Sequence, residues 1–112
     1  MSDNSANKIT TDSVGTSAET SWLLTAVNQV AIRNTHASQR LAVRVFTAST
    51  PAAAKALADA TDAVLDADEN WNILAGQRVV VYKSHRARCV AVSIIGSGAT
   101  TTYTVEGTDW FD

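Results

Sequence analysis

The sequence predicts a mainly β protein with one helix, an α+β chain. The expected build is a small antiparallel β-sandwich or barrel, with a single amphipathic helix inserted between strands and an extended N-terminal arm. Three observations lead there. Leu41, Val43 and Val45 alternate with Arg40, Ala42 and Arg44, which is the period of a half-buried strand. Residues 89–95, CVAVSII, are almost continuously apolar, as in a strand covered on both faces. Ser49, Thr50 and Pro51 place a hydroxyl N-cap before a proline at the first helical position, and an alanine-rich stretch follows.

At 112 residues the chain has the length of one domain and can bury a core without staples. Hydrophobic residues make up 46% and charged residues 18%, so much of the surface is expected to be uncharged. The net charge of -2 gives no whole-chain attraction to nucleic acid or to an anionic membrane, and neither is expected as a partner. No apolar run approaches the roughly 20 residues that span a bilayer. Residues 1–20 also lack the basic and apolar regions of a signal peptide, so a protein made in a cytoplasm is the simplest expectation. The single cysteine, Cys89, has no internal disulfide partner and reads as a small buried hydrophobe.

In chain order, residues 1–21 are rich in Ser, Thr, Asn and Asp and hold only Ile9 and Val14 as sizeable apolar groups. Such a segment cannot offset its own ordering entropy, so it is expected to be an arm that lies on another subunit, with the folded domain spanning 22–112. Trp22 opens the apolar chain and is expected to seal one end of the core. Residues 29–47 read as a β-hairpin with Val30 and Ile32 in its first arm and 34–39 as its connection. Phe46 breaks the alternation of the second arm. It turns Arg40, Ala42, Arg44 and Phe46 either toward the helix or toward a neighbour.

The helix is expected over about 51–66, with Ala54, Leu57, Ala58, Thr61, Val64 and Leu65 on the stripe that packs on the sheet. Asp66, Asp68 and Glu69 oppose the macrodipole at its C-terminus and should end it near Ala67. Strands are then expected at 72–74, 78–82, 89–95 and 100–105, with turns at Ala75-Gly76 and Gly96-Ser97-Gly98. Trp110 and Phe111 in the tail are expected to dock on the domain or on a neighbour.

Few residues are arranged for chemistry. Asp66, Asp68 and Asn70 open like a calcium loop, but Trp71 stands where the loop needs glycine and Gln77 where it needs a bidentate acid, so no metal is expected. Gly96-Ser97-Gly98 precedes threonines of a strand, and without a helix N-terminus it builds no phosphate cradle. Residues 83–88, with Lys83, His85, Arg86 and Arg88, read as a basic loop. It could grip phosphate or meet an acidic patch such as Asp59, Asp62, Asp66, Asp68 and Glu69 on a neighbour. His36 and His85 have no nearby acid in sequence to orient them and Cys89 sits mid-strand, so no enzyme and no cofactor are expected.

Asn34-Thr35, Ala75-Gly76-Gln77 and the stretch 95–107 form a pattern that resembles small β-sandwich proteins of tailed-phage virions: a strand ending in an NT element, an AGQ turn, and a closing segment framed by glycines. The helix at 51–66 departs from that pattern as an insertion. The resemblance implies a non-enzymatic virion component, a capsid decoration, head fibre, neck or tail protein that associates with itself and with the major capsid or tail proteins. Ile9, Val14, Trp22, Phe46, Arg86, Arg88, Trp110 and Phe111 are the residues expected at such contacts. The alternative is a nucleic-acid-binding accessory protein that uses the 83–88 loop.

Overall fold

The computed structural model describes residues 2–4, 8–23, 27–65 and 70–108, and of 2–4, 8–10, 21–23, 85–87 and 108 the backbone course alone. Its elements are β1 Ser2–Asn4, β2 Lys8–Val14, β3 Glu19–Leu23, β4 Val27–Asn34, β5 Leu41–Ala48, α1 Pro51–Ala60, β6 Trp71–Ile73, β7 Arg78–Gly96 and β8 Thr101–Thr108. The fold is mainly antiparallel β with one helix, as the sequence predicts. Sheet I runs β1-β3-β7-β5-β6 and sheet II runs β7-β4-β8-β2, with every neighbouring pair antiparallel except β1 and β3.

β7 belongs to both sheets. Its 19 residues would extend about 60 Å at the usual strand rise of roughly 3.3 Å. The longest dimension of the molecule is 34 Å, so β7 must bend. Its first part pairs with β4 from Arg33↔Arg78 to Gln29↔Lys83, and its second part pairs with β5 from Ala48↔Cys89 to Leu41↔Gly96. Between them the register against β4 steps from Lys83 to Arg88 while β4 advances only from Gln29 to Val27. An excess of residues on one strand is what bends it and increases its twist. The basic stretch expected as a loop between two strands is therefore the bend of one continuous strand.

That topology corrects two turns. β4 and β5 do not pair with each other: β4 lies between β7 and β8, and β5 between β7 and β6. Residues 35–40 thus cross from sheet II to sheet I instead of closing a hairpin. Residues 97–100 return the chain from sheet I to sheet II, because β8 pairs with β2 and β4 and not with β7. Alternation fixes which face of a strand is buried, not which strand lies beside it.

The polar N-terminal segment departs furthest from expectation. Lys8–Val14 pairs along its whole length with β8 of the same chain, and residues 19–22 of β3 pair with β7. Ladder bonds come from the backbone, so a segment too polar to fold alone can still add to a sheet already in place. The fold thus begins inside the stretch expected to be an arm.

The core lies between the sheets, where Val90, Val92 and Ile94 of β7 meet Ile32, Leu41, Val43, Ile73 and Val105. The opposite face of β7 presents Cys89 and Ala91 to Ala54 and Ala58 of α1, with Ala48 beside them. Small side chains on both partners let the helix approach closely, and the 89–95 run is covered on both faces as expected. Thr50 caps α1 through a bond from Ala53 N to its Oγ1 (3.2 Å), with Pro51 in the first turn. The helix ends at Ala60, short of residue 66. Ala63 is drawn down onto the sheet, donating its N–H to Ser93 Oγ at 2.9 Å, and its methyl is buried.

Candidate assembly surface

Each sheet has two end strands, and the connections sort them into two lateral sides. On one side β1 ends sheet I and β2 ends sheet II, joined by residues 5–7. On the other, β6 ends sheet I and the first part of β7 ends sheet II, joined by residues 74–77. Gly76, at φ 77°, makes the turn in that connection, a conformation that favours glycine. Its N–H bonds to Asn34 O at 2.9 Å, and Asn34 N–H bonds to Gln77 O at 2.9 Å.

Asn34 organises this region. It is fully buried, and its Nδ2 donates to Gln39 O (2.7 Å) and to Ile73 O (3.2 Å), while its Oδ1 accepts from His36 N (3.0 Å). One side chain thereby ties the 35–40 crossover to β6. On the second side Trp71 (47%), Leu74 (58%) and Val80 (37%) are exposed; Leu57 and Val64, expected on the helix stripe that packs on the sheet, are exposed as well, because the helix turns only Ala54 and Ala58 inward and ends at Ala60. Residues 70–77, NWNILAGQ, contain no charged side chain. Sequence reasoning passed over Trp71 and Leu74. The signal available was a tryptophan opening an uncharged run beside a strand too short to bury it.

Elsewhere the polar groups are occupied in structural work. His36 Nδ1 accepts from Ser38 N (3.0 Å) and Gln39 N (2.9 Å), which spends that nitrogen on the crossover. Asp59 accepts from Thr20 Oγ1 and from Lys55 Nζ (2.7 Å), fastening α1 to β3. The Lys55 bond first, and the Thr20 bond second, hold the Asp59 carboxyl below the usual carboxylate range. A shallow open hollow of about 270 Å³ beside it is lined by Ala18, Glu19, Thr20, Asp59 and Asp62. Among the described residues no three His, Cys, Asp or Glu side chains converge as a metal would require. The acids at 66, 68 and 69 lie outside the described residues. No helix among the described residues is long and apolar enough to cross a membrane.

Of the residues expected at contacts, Val14 is a correction: at 2% exposure it belongs to the core, because it faces inward where β2 joins β8. Phe46 is partly buried and packs against the alanines between β7 and α1, with the Arg44 guanidinium 5.8 Å from its ring centre. Arg88 is exposed, paired in backbone register with Val27. Ile9 pairs with Glu106, Trp22 with Ala91, and Arg86 lies within β7, their side chains being outside the description. Trp110 and Phe111 also lie outside the described residues.

These features define a mainly β sandwich with one helix, with an apolar rim at one lateral side. A crystal structure of PirA shares this fold, with a TM-score of 0.51 at 13% sequence identity, over 88% of this chain and 92% of that one. No protein-family model matches the chain, and no curated protein sequence does either.

Proposed function

We propose that this chain is a non-enzymatic structural subunit that works by self-association and by attachment to a larger assembly. Its strand pattern resembles virion proteins of tailed phages, so the assembly proposed is a virion, with the subunit as capsid decoration or as a head–tail or tail component. The observation that carries the reading is the lateral side formed by β6 and the first part of β7, where Trp71, Leu74 and Val80 stand exposed around an uncharged run. Exposed apolar groups gathered at a strand edge are what a partner surface uses. The polar groups described serve the fold in crossovers, caps and the Asp59 latch, which fits a subunit better than a catalyst.

Light scattering on size-exclusion fractions of the whole chain, over two decades of concentration, tests it together with co-sedimentation on phage heads and tails. Masses above the monomer, or binding to such particles, are the expected results. A monomer at every concentration that sediments with no particle overturns the reading.

A further inference from the structure

We infer that the outer face of sheet II binds the phosphate backbone of double-stranded nucleic acid without reading its sequence. The inference goes beyond the structural role just proposed and does not depend on it.

The two sheets differ in what covers them. The one helix among the described residues packs on β3, β5 and β7, so it closes the outer face of sheet I and leaves that of sheet II without a covering helix. Val30 and Ile32 of β4 and Tyr103 and Val105 of β8 point into the core, so Arg33, Thr102 and Thr104 point outward. Register then lines up one row across four strands: Arg78, Arg33, Thr104 and Thr11. Four β4 residues away, and so about 13 Å distant, Gln29 stands beside Lys83. Arg33, Arg78 and Lys83 are all exposed.

The fold also separates the charges. Among the described residues, Glu106 is the acid of this face, and Arg78 Nη2 holds it at 3.1 Å. Glu19, Asp59 and Asp62 lie on the opposite side of the molecule, around the hollow beside α1. A net charge of -2 for the whole chain therefore hides a face with cations in excess. Arg33 and Arg78 are moreover direct cross-strand partners, a like-charge pairing that costs stability until an anion lies across it. Glu106 offsets one of the two, while Arg33 Nη1 reaches only the Gly76 carbonyl, at 3.4 Å.

The chemistry of the face selects among anionic partners. Guanidinium, ammonium and hydroxyl groups are the side-chain donors that contact phosphate oxygens. The exposed large apolar side chain here is Val80, with no aromatic anchor of the kind that holds a protein partner. The same lack leaves unpaired bases nothing to stack on, which favours a duplex over a single strand. A duplex carries one charge per roughly 1.7 Å. An extended acidic peptide carries at most one per about 3.3 Å, so a rigid face with few cations attracts the duplex more strongly.

Fluorescence anisotropy of a labelled mixed-sequence DNA duplex, read on the whole chain at rising salt, tests the assignment. The variants are the double substitution Arg33→Gln with Lys83→Gln, and Lys55→Gln on α1 as a neutralisation away from the face, with thermal unfolding to check folding. The native chain is expected to bind at low salt, its log affinity falling linearly with log salt. The double variant is expected to lose at least tenfold in affinity and to flatten that slope by about 2, from roughly 0.9 for each phosphate contact removed. Lys55→Gln should change neither, and polyglutamate should bind at least tenfold more weakly than the duplex at the same salt. No binding at low salt, a double variant with native affinity and slope, or polyglutamate that binds as tightly as the duplex overturns the assignment.

Discussion

On one lateral side of the sandwich, β1 and β2 bring Asp3, Lys8 and Asp12 along the last strands of the two sheets; on the other, β6 brings Trp71, Asn72 and Ile73. The first side is covered by the chain's own N-terminal segment, polar enough to face water and held by the ladder from Lys8↔Gly107 to Val14↔Thr101. The second ends on three residues and a glycine turn, with an indole half out of the core. Both sides leave strand edges, and the end strand without a charged residue is β6. The difference teaches that the polar segment, which looks like the part reaching for a neighbour, finishes its own domain. The apolar segment that looks like core leaves Trp71 and Leu74 exposed, and it is the part we propose for a partner.

The comparison can be broken most severely at Asn34, which supports the second side from within. Asn34→Leu keeps the volume close but leaves Gln39 O, Ile73 O and His36 N without the bonds they now make. Removing partners from buried groups costs about 1–3 kcal/mol for each group that water cannot reach. Allowing for partial rescue at the exposed end, we expect a loss of roughly 3 kcal/mol in urea unfolding. A loss under about 1 kcal/mol would mean that the crossover is not held by this side chain.

Val14 and Trp71 form the sharpest contrast. Val14→Ala on the covered side empties a core position and is expected to cost about 2 kcal/mol while leaving self-association unchanged. Trp71→Ala on the other side removes a far larger side chain, yet it should cost about 2 kcal/mol, no more than Val14→Ala, because half of it is already in water. Its distinguishing effect is expected in light scattering, as a fall toward monomer mass. If Trp71→Ala costs more stability than Val14→Ala and leaves the mass unchanged, the assignment of the two sides is reversed.

How much of this was legible follows from what each residue pattern encodes. Leu41, Val43 and Val45 declared their buried face, and Thr50-Pro51 declared the helix start, because both signals are local. The partners of β4 and β5 were not legible, since they depend on one bent strand whose bend is made of Lys83 to Arg88, residues that imitate a loop. β2 and β3 were hidden for another reason: Thr10, Thr11 and Ser13 supply backbone to a ladder and little apolar surface, so composition reads them as unfolded. The helix end was missed because Ser93, thirty residues further along, captures Ala63 N–H. Of the candidate site, Leu74 and Trp71 stood in plain view, but an uncharged edge becomes informative only once the other edges are known to carry charge.

The smallest effect lies between the two sides, at the latch where Asp59 on α1 accepts from Lys55 and from Thr20 on β3. These bonds favour the carboxylate, so its folded pKa lies below the ordinary value of 3.8. The stabilisation is therefore complete above that ordinary value and is lost as the pH falls through the lower, folded one. Its size is modest, because the Asp59 side chain is 39% exposed and a solvated pair on adjacent helix turns contributes about 0.3–0.5 kcal/mol. Asp59→Asn should then lower stability by a few tenths of a kcal/mol at neutral pH, with the gap to the native chain closing as the pH drops below about 4. Added salt should narrow the same gap, since Lys55 contributes through charge. The absence of a gap at neutral pH would assign the latch to the Thr20 hydroxyl, from which an asparagine oxygen can still accept, and not to the carboxylate charge.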